Sequence, residues 1–218
     1  GGLGFGLGLL TVPLLLNINP EFVPGPLLLG AGLLNILLIF REHRSIEINE
    51  LKWTLLGRVL GTILGASILV VFPQNYLSVV FGLMVLIAVF LSLGGFHLPI
   101  TKRNQIGAGT FSGIMATVAA IGGPPLALLY QNLSGSRLRG TLSGIFFVGT
   151  LLSIVSLIPI NKMGIQELKL ALLLSPGILL GFLVSNYLRK ILDSGFIRPA
   201  VLIISALSAL VVILRNVL

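Results

Sequence analysis

The chain has 218 residues, of which 56% are hydrophobic and only 9% charged, with a formal net charge of +8 and a mean hydropathy of +1.09. A soluble domain carries roughly 25% charged residues, so the composition excludes one and points to an all-α, polytopic protein whose surroundings are the lipid bilayer. The 14 basic residues stand singly or in pairs between apolar runs, which fits membrane-flanking anchors rather than a nucleic-acid surface, and the absence of cysteine removes disulfides, thiol nucleophiles and Cys metal sites.

In chain order, the first hydrophobic segment runs to about Leu16 and is short. The second covers Phe22 to Phe40 and ends at the charged loop Arg41–Glu50; the third runs from Leu51 to Phe72. Pro73-Gln-Asn75 turns the chain into the fourth, Tyr76 to about Leu93, and a polar stretch follows. The fifth extends from Ile106 to Asn132, the sixth from Gly140 to Ile158, the seventh from Leu168 to Leu188 and the eighth from Ile197 to Leu214. About eight segments therefore divide into a first repeat over residues 1–95, a connector over 96–105 and a second repeat over 106–218. The chain opens on Gly-Gly-Leu-Gly without Met and has few residues ahead of Gly4, whereas segment five has a half-helix ahead of its break. The start reads as truncated.

Segment five carries the most informative motif, Gly122-Gly-Pro-Pro125, inside a stretch long enough to span a membrane. Pro124 and Pro125 have no N–H, and Gly122 and Gly123 are poor helix formers, so a continuous helix is expected to break there. Hydrocarbon cannot satisfy bare backbone, which survives at membrane depth only where it is buried in protein or lines a wet cavity. A second such stretch, Gly4 to Pro13, occupies the matching place in segment one. Paired helix breaks in two halves mark the substrate site of a transporter. Helix N-termini at such breaks offer N–H groups and positive dipole ends that suit an oxyanion. The expected site residues are Gly6, Gly8 and Thr11 at the first break and Gly122, Gly123 and Gln131 at the second, with Pro13, Pro124 and Pro125 breaking the helices.

Other polar residues carry less. Arg58, about a turn and a half into segment three, either balances an anion's charge or snorkels to the interface. Asn35, in mid-span, suits an interhelical hydrogen bond, and Ser143, Thr150 and Ser153 suit packing. Gly57, Gly61 and Gly65 in segment three, and Gly177, Gly181 and Ser185 in segment seven, put small residues on one helix face for close packing. Trp53 and Tyr76 read as interfacial anchors, and His43 and His97 have no metal-ligand partners at useful spacing. All six acids, Glu21, Glu42, Glu47, Glu50, Glu167 and Asp193, fall in loops or at span ends. No reactive constellation suggests an enzyme, and nothing calls for a metal or soluble cofactor.

Loop charge bears on the topology. If every segment crosses fully, the loop cations divide eight to five; if segments one and five are re-entrant, ten fall on one side and three on the other. The positive-inside rule favours the second, inverted arrangement, although segment five is also long enough for one kinked crossing.

These residues resemble the TauE/SafE sulfite exporter family of prokaryotic membrane permeases, also described as toluene-sulfonate uptake permeases. The likeness rests on Gly4-Phe-Gly-Leu-Gly-Leu-Leu-Thr-Val-Pro13, on Ile121-Gly-Gly-Pro-Pro-Leu126 with Leu129-Tyr-Gln-Asn132, and on Leu138-Arg-Gly-Thr-Leu142. The glycine-spaced helices and the length of each half also fit, while Leu7 stands where the family more often has glycine. The resemblance implies a multi-pass permease of the cell membrane that moves sulfite, sulfonates or related organosulfur anions. The competing class is a non-transporting subunit that anchors or regulates a partner. A hydrated pocket between Gly122 and the Gly4–Pro13 stretch favours transport; packed, dry breaks and a flat apolar surface favour the subunit. A homo-oligomer is left open.

Overall fold

The computed structural model describes residues 6–42, 48–93, 98–133, 135–187 and 197–217. Gly4, His43 and His97 lie outside the described residues. Nine α-helices and one 3₁₀ turn make up the described structure: α1 (Gly6–Ile18), the turn Pro20–Phe22, α2 (Gly25–Glu42), α3 (Ile48–Val71), α4 (Gln74–Leu93), α5 (Lys102–Ala119), α6 (Gly123–Tyr130), α7 (Gly135–Leu157), α8 (Ile165–Tyr187) and α9 (Ile197–Val217). Five of them, α3, α4, α7, α8 and α9, are long and apolar enough to cross a membrane, and α1 and α2 contain shorter apolar stretches.

The polarity is arranged for lipid. Large apolar side chains face outwards, including Ile63 at 59% exposure and Leu173 at 70%, while Thr54, Thr62, Ser112, Thr117, Thr141 and Ser153 are buried. In water that distribution would be unfavourable, whereas in hydrocarbon it keeps polar groups out of lipid and pairs some of them between helices, although the Thr62 and Thr141 hydroxyls have no partner. Ser153 and Thr117 are one such pair, with their hydroxyls 2.9 Å apart.

The tightest helix pair is α3 with α5. A Cβ at Gly57 would collide with the carbonyl of Ile106, and one at Gly61 with the carbonyl of Thr110; Gly65 faces Thr117. The reciprocal glycines Gly109 and Gly113 meet the backbone of Thr54 and Arg58. Dispersion between nearly touching backbones replaces the hydrophobic drive that lipid does not provide. The pairing order also makes α5 run parallel to α3.

The chain then doubles back. α5 ends where Ala120 adopts a left-handed φ of 56°, and α6 returns until the Tyr130 hydroxyl lies 2.6 Å from that of Thr54 and accepts a 3.4 Å bond from Gln105 Nε2. Thr54 lies in the second turn of α3 and Gln105 in the first turn of α5, so both ends of the α5–α6 hairpin lie towards the same end of the molecule. A buried cluster of Leu126, Leu129, Tyr130, Leu142, Ile145 and Phe146 holds α6 in place. From there α7 runs to the opposite end, where Gln166 Nε2 donates to Glu21 in the turn before α2 at 3.3 Å.

Three sequence expectations differ in detail. α1 is unbroken from Gly6 to Ile18 with Pro13 inside it. One missing N–H, which frees only the Leu9 carbonyl, is tolerable within a membrane helix; separately, Asn17 Nδ2 donates to the Pro13 carbonyl at 2.8 Å and to Ser208 O on α9 at 3.3 Å, tying the two helices together. Pro124 and Pro125 fall in the first turn of α6 rather than at the bend. Their missing N–H groups belong to positions that lack helical partners anyway, so they start the new helix while Ala120 ends the old one. The polar connector is helical from Lys102 onwards, capped by the Thr101 side chain.

The two glycine-spaced faces are not equivalent. Gly177 and Gly181 on α8 have nothing within 4 Å of a built Cβ. Gly61→Ala is therefore expected to lower unfolding free energy by about 1–3 kcal/mol, while Gly177→Ala stays within roughly 0.5 kcal/mol. Unfolding of the purified protein in detergent measures both.

Candidate functional site

The hairpin bend lies against α1, α2, α3 and α7 and encloses a cavity at their meeting point. Its lining includes Gly8 of α1, Asn35 of α2, Arg58 of α3, Gly122 and Gly123 of the bend, and Thr150 of α7. Its volume is about 60 Å³; one water needs roughly 10–15 Å³ on the same scale, so it has room for a few waters or one small oxyanion. Gly8 approaches the bend closely, and a Cβ there would stand 2.7 Å from the Ala120 carbonyl oxygen.

Arg58 dominates the cavity. It is 1% exposed and sits ten residues into a 24-residue helix, away from either end. Its Nη1 donates to the Ser112 carbonyl at 2.9 Å and to Ser112 Oγ at 2.8 Å. Ser112 Oγ in turn donates to the carbonyl of Gly122, which ties the guanidinium to the bend. Two glycines make room for it: a Cβ at Gly122 would meet Nη1 at 2.7 Å, and one at Gly149 would overlap the guanidinium itself. Arg58 Nε has no hydrogen-bond partner. Snorkelling is therefore not what this side chain does.

The helix end contributes less than the motif suggests. Pro124 and Pro125 remove two of the four free N–H groups that open α6, and α6 is only eight residues long. A helix N-terminus is equivalent to roughly half a charge, whereas the guanidinium carries a full one. Both are positive and both face the cavity. Of the acids, Glu21 lies in the turn before α2 and Glu42, Glu50 and Glu167 near helix ends, while Glu47 and Asp193 lie outside the described residues. The arrangement can accept an anion and disfavours a cation.

Also on the lining, Asn35 Nδ2 donates to Thr150 Oγ1 at 3.2 Å, leaving the Thr150 hydroxyl hydrogen and the second Asn35 amide hydrogen for further bonds. This is the interhelical bond that a mid-span Asn suggests, formed at the edge of the cavity.

Of the residues expected from sequence, Gly8, Gly122, Gly123 and Arg58 are brought together. Gly6 is the first residue of α1. Thr11 is half-buried in α1 and lies outside the lining, as does Gln131, which is exposed at the far end of α6 near Tyr130. Sequence reasoning missed Ser112 and Gly149 and weighed Thr150 as packing. Nothing marks Gly149 in the sequence, because its partner Arg58 is remote in the chain.

A family model described as "Sulfite exporter TauE/SafE" matches residues 1–212 of the chain. The chain belongs to that family. It is thus a multi-pass membrane protein of a sulfite-exporter type of transporter, in keeping with its apolar helices. No curated protein and no solved structure matches the chain.

The Ser112 bridge generates a prediction for this TauE/SafE protein. Ser112→Ala removes the hydroxyl from both Arg58 and the Gly122 carbonyl. It is expected to destabilise the fold by about 1–3 kcal/mol, the cost of leaving buried polar groups unmade, read as a lowered unfolding midpoint in detergent.

Proposed function

We propose that this TauE/SafE protein is a permease that carries sulfite, sulfonates or related organosulfur anions across the cell membrane, with the cavity at the α5–α6 bend as its central site. The observation that carries the reading is a buried guanidinium, its Nε unpartnered, on the lining of a cavity whose other polar groups are neutral. Gly122 and Gly123 let the anion reach backbone N–H groups, and Arg58 supplies its counter-charge.

The same reading includes two inverted four-segment repeats. In it the α5–α6 hairpin is the re-entrant first segment of the second repeat, α7 to α9 correspond to α2 to α4, and α1 corresponds to α6. The oppositely directed α2 and α7, linked at one end by Gln166 and Glu21, support it. With both hairpin ends on one side, Arg41, Arg44, Lys52, Lys102, Arg103, Arg137, Arg139, Arg189, Lys190 and Arg198 share that side, against Lys162, Lys169 and Arg215 on the other. The positive-inside rule makes the ten-cation side cytoplasmic. The transport cycle is alternating access or a gated facilitator, in which the two repeats move about the fixed site.

Gly123→Val is expected to abolish flux while leaving membrane insertion intact, because a β-branched side chain fills the approach to the backbone. Uptake of labelled sulfite and an organosulfonate into proteoliposomes, beside a check of insertion, measures this. Normal flux from a correctly inserted variant would reject the assignment.

A further inference from the structure

The number and position of buried charges narrow the substrate further, given the permease reading above. Among the described residues Arg58 is the one charged side chain among the buried polar groups. The repeat relation makes its solitude more telling. Arg58 follows Gly57 on α3 and presses on Gly149 of α7; in the other repeat Ile178 follows Gly177 on α8 and presses on Gly30 of α2, its Cδ1 2.5 Å from a built Cβ. The same contact is built twice, once with a cation and once with a hydrocarbon. A two-fold pair of cations would have been available to the architecture, and the chain carries half of it.

We propose that the site selects monoanions bearing an –SO₃ group, such as an organosulfonate or bisulfite, over dianions such as sulfate and fully ionised sulfite. One guanidinium neutralises one charge. A second negative charge would be left in the apolar surroundings of Leu27, Leu28 and Phe146, where an unpaired ion is strongly disfavoured. The lining offers three sets of polar groups for the three oxygens of a sulfonate: Arg58, the Asn35–Thr150 pair and the Gly122–Gly123 backbone. Apolar lining on the remaining side accommodates the substituent on sulfur. Sulfite enters the site after taking up a proton from solution, so no intramembrane carboxylate is needed for its flux to depend on pH.

The test is flux of labelled methanesulfonate, sulfate and sulfite through the wild-type protein in proteoliposomes, with the pH varied symmetrically from mildly acidic to mildly alkaline. Methanesulfonate flux is expected to be insensitive to pH and at least about tenfold faster than sulfate flux, a lower bound well inside the penalty for one unpaired buried charge. Sulfite flux is expected to fall as pH rises and bisulfite loses its proton. Sulfate flux comparable to methanesulfonate, or sulfite flux that rises with pH, would overturn monoanion selection and leave the permease intact. Absence of flux for every probe from folded protein would overturn both.

Discussion

The buried charge of Arg58 is the constraint around which the rest of this protein is arranged. An arginine at the centre of a membrane helix costs about 2.5–3.5 kcal/mol even on insertion scales, and among the described residues no carboxylate is buried to offset it. Ser112 accepts two bonds from Nη1, but Nε is left without a partner. The chain nonetheless makes room for the group by placing Gly122 and Gly149 against it. A protein that carves space for a charge and leaves it under-compensated is poised to receive a counter-ion. The membership in a sulfite-exporter family gives that counter-ion a chemical class.

Everything that holds the guanidinium depends on the hairpin. The α3–α5 glycines bring two backbones close enough for Ser112 to reach Arg58, and the Tyr130–Thr54–Gln105 bonds fasten the returning α6 to the same pair of helices. One end of α6 is thus fixed by a hydroxyl network and the other by the Ser112–Gly122 bond. Between these anchors the backbone leaves the helical path for only Ala120, Ile121 and Gly122, a short irregular stretch that protein rather than lipid surrounds. That is the condition under which such backbone is tolerated at membrane depth.

Much of this was legible from residue order, and the exceptions have physical causes. Apolar runs located the helices because lipid demands long uninterrupted spans. Gly122-Gly-Pro-Pro125 located the bend, yet its prolines act as the start of α6 and Ala120 makes the left-handed turn. Pro13 looked equally disruptive and sits inside α1, because a single lost N–H does not end a helix whose surroundings supply other bonds. Gln131 belongs to the same motif as the bend but lies at the far end of α6; motif adjacency is not spatial adjacency once a helix intervenes. Ser112 and Gly149 were invisible because their roles exist only in relation to Arg58, 54 residues from Ser112 along the chain. The glycines of α3 and α8 share a spacing, but only those of α3 face a neighbour among the described residues.

The absence of native cysteine allows the central claim, an anion-accessible cavity at Arg58, to be tested with one introduced thiol. Thr150→Cys is a small change and places the reporter on the lining of the cavity that Arg58 shares. The account predicts that a small charged thiol reagent labels this position in folded, membrane-inserted protein, and that methanesulfonate slows the labelling in a saturable manner. A thiol that stays unreactive, or one whose labelling is indifferent to the anion, would contradict it.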